Sequence, residues 1–160
     1  VAELDAAGNV THVFDLSTFN GGSITACSPT GLVAGNNGEL LVGCGVASQS
    51  IILNPLANGG AGSIKTFTQV SGEDQVAYDP VTNLYYLAAS NNPGGAILGI
   101  INGATDTFLQ ALSTVPGAHS VAVDPITGEA FVPFGASAGN TACTAGCIGV
   151  FALASSASVP

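Results

Sequence analysis

A segment of about 45 residues recurs along this chain, and the recurrence constrains the fold more than any single motif does. "SPTGLVAGNNGELLVGC" (28–44), "GEDQVAYDPVTNLYYLAA" (72–89) and "GAHSVAVDPITGEAFVPF" (117–134) align, with Leu32, Val76 and Val121 spaced 44 and 45 residues apart. Each copy reads as strand, tight turn, strand. In "DPVTN" and "DPITG" the aspartate bonds to its own turn, proline sets φ, and Asn83 or Gly128 takes the left-handed position. "GNNG" does the same in the first copy. A third apolar run follows each copy: "SIILNPL" (50–56), "AILGII" (96–101) and "CIGVFAL" (147–153). A fourth follows two of them: "IKTFTQV" (64–70) and "TFLQALS" (107–113). The N-terminal "VAELDAA" and "VTHVFDLS" match a third and a fourth strand. No stretch shows a helical period.

The predicted fold is therefore all-β. Four short strands per unit, joined by Gly-rich turns, are the pattern of a β-propeller blade. Each blade is a small sheet with two apolar faces, which it buries only by stacking on neighbours. That suits a chain with 47% hydrophobic residues, 7% charged residues, 22 glycines and 8 prolines. One partial propeller domain is expected over 1–160, with units at 1–19 (strands C and D), 28–70, 72–113 and 117–153. About three four-stranded blades do not close a ring, since propellers typically have at least four. The chain reads as half of a six- or seven-bladed ring, and its mid-blade ends favour a fragment of a longer or clipped chain over one of two copies that complete it. A start at Val1 rather than Met reads as a processed product.

Within these units, "VAYDPVTNLYYLA", "VAVDPITGEAFVP" and the later "GCIGVFAL" resemble YVTN-type β-propeller repeats of secreted proteins, related to the lactonase-like propellers. The chain departs from that pattern after strand B, where "YYLAA" and "FVPFG" replace Tyr-Val-Thr-Asn. The family also often carries a histidine at the position of Thr30, which weakens a catalytic expectation.

Charge excludes some partners. The net charge is −9, and Lys65 is the only Lys or Arg. Nucleic acid and anionic membrane surfaces would repel such a chain, because both are bound through basic patches. Its apolar runs are shorter than the roughly 18 residues that a membrane helix needs. The four cysteines contain no CxxC and have no nearby histidine ligands, so disulfides are expected rather than zinc. Folding about "GNNG" brings Cys27 to Cys44, and Cys143 with Cys147 closes a small ring around "TAG". With the sequon Asn9-Val10-Thr11, a candidate glycosylation site, these point to a secreted protein.

One of only two histidines, His119, precedes an apolar strand. By repeat alignment it falls on Asp74 and Thr30, each expected two residues before an innermost strand A. Thr30, Asp74 and His119, with Glu73 beside them, should then form an arc at one mouth of a central channel. Convergent polar groups on a rigid scaffold are where ligands bind. Asp74 and His119 could share a divalent metal ion, whose bound water could attack a lactone or ester. Set against that, channel-mouth polar groups are commonly just solvated, and one Asp with one His falls short of a ligand set.

The remaining candidates read as structural. Asp79 and Asp124 belong to their turns. Asp5, Asp15 and Asp106 lie near strand C–D turns, facing solvent. His12 heads an outer strand at the surface. Of Tyr85 and Tyr86, one faces the neighbouring blade. "NGGAG" and "NNPGG" open no helix and so are not phosphate loops. No serine is read in a G-x-S-x-G setting, so no serine nucleophile is assigned. The leading expectation is a non-catalytic binding or scaffold module for a glycan, small molecule or protein. The alternatives are a metal-assisted hydrolase or lactonase on Glu73, Asp74 and His119, and an inert assembly propeller. The expected partner is a second copy or the remaining fragment.

Overall fold

The computed structural model describes residues 1–19, 24, 27–46, 49–136 and 143–152. Among the described residues, thirteen strands form four antiparallel sheets. The first sheet holds β1 (Ala2–Leu4) and β2 (Val10–Val13). The second holds β3 (Pro29–Ala34), β4 (Leu40–Cys44), β5 (Ser50–Asn54) and β6 (Ser63–Phe67). The third holds β7 (Gln75–Asp79), β8 (Leu84–Ala89), β9 (Ile97–Asn102) and β10 (Thr107–Ser113). The fourth holds β11 (Ala122–Asp124), β12 (Glu129–Phe134) and β13 (Cys147–Phe151). Each sheet is a meander in chain order. The fold is all-β as expected, with no α-helix among the described residues. Leu153, the expected end of the last run, lies outside them.

The turns form by the chemistry that the repeat implies. The Val81 N–H donates to Asp79 Oδ1 at 2.9 Å, and the Ile126 N–H donates to Asp124 Oδ1 at 2.8 Å. Asn83 and Gly128 take φ of 57° and 72°. Two prolines stand where a missing N–H costs least. Pro29 begins an edge strand, and Pro133 lies beyond the reach of three-residue β11.

Alternation along each strand then builds the core. Val42, Cys44, Ile51 and Leu53 of the second sheet pack on Phe14, Leu16 and Ile24. Leu41, Ile52 and Phe67, on its other side, meet Tyr85, Leu87, Ala89 and Ile101 of the third sheet. The third sheet turns Leu84, Tyr86, Leu98 and Ile100 toward Ala130 and Val132 of the fourth. Both faces of β8 are thus buried over all six residues, which leaves no polar period to read in its sequence. Tyr85 and Tyr86 are therefore both core residues facing opposite sheets, where only one was expected to be. β7 touches both β3 and β11, so the first strands of three consecutive sheets are neighbours.

Both expected disulfides are present. Cys27–Cys44 ties the approach to β3 to the end of β4 across a Cα separation of 4.6 Å. Cys143–Cys147 closes the loop before β13, with Cα atoms 5.5 Å apart.

Candidate functional site

The adjacency of β3, β7 and β11 gathers the sequence-derived candidates at one end of the sheets. Thr30 lies inside β3, Asp74 stands one residue before β7, and His119 stands three before β11. This departs from a uniform offset of two residues, because the three strands begin at different points of the repeat. The backbones meet closely here. A Cβ on Gly31 would lie 3.0 Å from the Asp74 carbonyl oxygen. The Gln75 N–H donates to the His119 carbonyl at 3.1 Å, which locks the third sheet to the fourth.

Asp74 and His119 come together. Asp74 Oδ2 is 3.2 Å from His119 Nδ1, and their side chains are 53% and 55% exposed. The Ser120 hydroxyl lies 3.4 Å from the same ring nitrogen. Among the described residues, Nε2 has no hydrogen-bond partner. An Nδ1–H donated to Asp74 leaves Nε2 as the ring nitrogen outside this contact.

Thr30 and Glu73 behave differently. The Thr30 hydroxyl donates to the Glu73 carbonyl at 2.6 Å, so it joins β3 to the segment before β7. The Glu73 side chain is 1% exposed and points into the protein, not into an arc beside Asp74. Its Oε2 accepts the Cys44 N–H at 3.1 Å, and its Oε1 meets the Ser50 hydroxyl. The physical reason is a spare N–H: Cys44 ends β4, and a buried carboxyl satisfies its donor.

Burial raises the Glu73 pKa above the ordinary carboxylate range, while hydrogen bonds from Ser50 and Cys44 oppose the shift. Ser50 has one proton and two neighbours, Glu73 and the Val70 carbonyl at 2.8 Å. A protonated Glu73 resolves this by donating to Ser50 Oγ while Ser50 donates to Val70. A raised folded pKa means the folded state holds the proton longer than the unfolded chain. Stability should therefore be highest below the unfolded pKa and fall as pH rises through the folded one. Glu73→Gln imitates the protonated form. It should abolish this fall and exceed the wild type in thermal midpoint at neutral pH, while matching it in acid. Melting curves from pH 4 to pH 8 decide the matter; parallel curves for both proteins would refute the assignment.

The other aspartates cap turns, with one exception. Asp5 and Asp15 accept from residues two ahead, and their exposed carboxyls are held below the usual range by Asn9 and Ser17 respectively. Asp106 was expected to face solvent, but its Oδ1 is buried without a partner among the described residues. Burial raises its pKa, as does the nearby Glu39, against a lowering by Lys65. The Tyr85 hydroxyl beside it is likewise unpartnered, and burial, with Glu39, Tyr78 and Asp106, pushes its pKa up to about 12.

Two features escaped the sequence reading. A groove of about 790 Å³ opens between the first two sheets, away from Asp74 and His119. Glu3, His12, Phe14, Leu32, Leu40 and Leu56 are among its walls, and the His12 ring lies 4.4 Å from that of Phe14. These residues come from distant segments, so no local pattern announces them. The second feature is "GASAG" (135–139), which matches the G-x-S-x-G pattern of a nucleophile turn. This corrects the reading that no serine lies in such a setting. Its Ser137 lies outside the described residues.

Among the described residues, no group of three or more His, Cys, Asp or Glu side chains could hold a metal ion. Asp74 and His119 supply two donors only. Comparison with known protein families, curated proteins and solved structures finds no match to this chain.

Proposed function

We propose that the four sheets are successive blades of a β-propeller, and that the chain is a non-catalytic binding module of a secreted protein. The ligand sits where β3, β7 and β11 converge. One observation carries this reading: Asp74 and His119 meet at 3.2 Å across two sheets while both stay half exposed. A carboxylate and a ring nitrogen held this way accept hydrogen bonds from neighbouring hydroxyls. The scaffold beneath them is rigid, so little ordering entropy is lost on binding. The charge of −9 disfavours anionic ligands, and hydroxyl-bearing molecules such as glycans suit the acceptors at this point. The two disulfides favour an extracellular setting. Asn9, in the exposed turn before β2, is a compatible glycosylation site.

The test is an NMR titration of the intact protein with a panel of neutral oligosaccharides, following the His119 ring signals. A saturable shift is expected. Asp74→Asn and His119→Ala should each weaken binding at least ten-fold, about 1.4 kcal/mol or more, with the fold unchanged. If no glycan binds and one equivalent of zinc binds tightly with lactone hydrolysis, the metal-assisted hydrolase replaces this reading. If neither binds, the chain is an assembly module.

A further inference from the structure

A buried carboxylate is stable when a cation balances it, and one in this molecule has none. Glu39, in the turn between β3 and β4, is 8% exposed. Its Oε2 accepts from Asn37 Nδ2 at 2.6 Å and its Oε1 from Asn54 Nδ2 at 3.2 Å, both neutral amides. Among the described residues, no basic group lies within ion-pair distance of it. The turn closes through the Gly35 N–H, which donates to the Glu39 carbonyl at 2.8 Å. The Tyr85 hydroxyl of the third sheet abuts Gly35, where a Cβ would collide with it. Gly103, three residues before Asp106, abuts the other side of the same ring, since a Cβ there would lie 2.7 Å from Tyr85 Cε2. Tyr85 is thus flanked by the two turns that carry Glu39 and Asp106. After burial, the Glu39 charge is the next cause that raises the pKa of both Asp106 and Tyr85, so the three groups share one field. Two polar atoms in this cluster have no partner among the described residues: Asp106 Oδ1 and the hydroxyl of the fully buried Tyr85. A buried hydroxyl beside carboxylates ordinarily donates to one of them. This one does not, which leaves its oxygen open to a ligand.

We infer that Glu39, Asp106 and Tyr85 bind a calcium ion between the second and third sheets. The donors are all oxygens, which suits a hard cation rather than zinc. Calcium accepts irregular sets that mix carboxylates with neutral oxygens and water, whereas magnesium demands a near-ideal octahedron. Two carboxylates supply the charge, and the Tyr85 hydroxyl is the neutral ligand that the fold holds in place. Lys65 is the competing charge. It acts on Asp106 from β6, where it is exposed, but forms no ion pair with it. Bound there, the ion joins the β3–β4 turn to the β9–β10 turn and so ties one sheet to the next. The site lies at the far end of β7 from Asp74 and shares no residue with the ligand site, so the two stand or fall separately.

Calorimetric titration of the intact, chelator-stripped chain with calcium chloride tests it. The chain has three tyrosines and no tryptophan, so its ultraviolet difference spectrum reports on Tyr85 with little background. One equivalent should bind, and the tyrosine spectrum should change up to the same ratio. The melting midpoint should rise by about 5 °C or more at a hundred-fold excess over Kd. Asp106→Asn and Glu39→Gln should each weaken binding by roughly ten-fold or more, because each removes a ligand charge. Tyr85→Phe deletes only the hydroxyl and keeps the ring packing; it should weaken binding about three-fold or more. Glu3→Gln, at an exposed carboxylate in β1, should leave binding unchanged. If Glu39→Gln fails to fold, Asp106→Asn and Tyr85→Phe carry the test. An absence of heat and of any midpoint change up to about 10 mM calcium, above the range of extracellular modules, overturns the inference. So does binding that Asp106→Asn and Tyr85→Phe both leave intact, because the ion then sits elsewhere.

Discussion

Gly72→Ala is expected to cost about 3 kcal/mol or more, which for a chain of this size lowers the melting temperature by roughly 6–12 °C. Gly72 has φ of +71°, where an L side chain is strained by about 1–2 kcal/mol. A Cβ there would sit 2.6 Å from both the carbonyl carbon and the oxygen of Asn91. The backbone cannot move aside freely. The Gly72 N–H donates to the Cys44 carbonyl at 3.1 Å, and its own carbonyl accepts from Asn91 at 3.3 Å. The residue pins the second sheet to the third just before Glu73 and Asp74, so the His119 NMR signals should shift as well. Gly8→Ala is the control. Its φ of +85° is similar but nothing lies within 4 Å, so only the conformational cost of about 1–2 kcal/mol should appear. Equal losses for both variants would show that the contact with Asn91 does not restrain this segment.

Loss of the Cys27–Cys44 bridge is the other large effect. The cysteines are 17 residues apart, and a loop of that length stabilises by about 3 kcal/mol when closed. Cys44 is fully buried among Val42, Ile51 and Leu53, so Cys44→Ala also removes packing atoms. Cys143→Ala opens a loop of only four residues and should cost about 2 kcal/mol. Urea unfolding of each variant, beside the wild type with and without reductant, separates the two bridges. If Cys44→Ala unfolds at the wild-type midpoint, that bridge does not hold the first hairpin closed.

What the sequence disclosed follows from how local the physics is. Asp79 with Asn83, and Asp124 with Gly128, specify their turns within six residues, so the hairpins were legible. Both disulfides were legible too, because each closes over a short, foreseeable path. Glu73 was not. It adjoins Asp74 in sequence, yet its carboxyl goes to Cys44 and Ser50, 29 and 23 residues away, while Asp74 stays at the surface. Asp106 misled for the same reason, since its burial and the nearby charge of Glu39 come from other parts of the chain. The meeting of Asp74 and His119 was foreseeable only because the repeat places them at equivalent points. How neighbouring sheets pack depends on side chains such as Tyr85 and Tyr86 meeting residues from other units, and no short pattern encodes it.

Every sheet being a meander of consecutive strands bears on the order in which the molecule forms. Strand pairing needs no segment beyond its own unit, so the closure entropy of each step is that of a short loop. A chain growing from its N-terminus can complete the β3–β6 sheet before β7 exists, and the exposed face of each finished sheet is the template for the next. Formation should advance like a zipper, one unit at a time. Loss of structure should begin at the two-stranded and three-stranded ends, leaving β8, covered on both sides, as the last strand to exchange its amide protons with solvent.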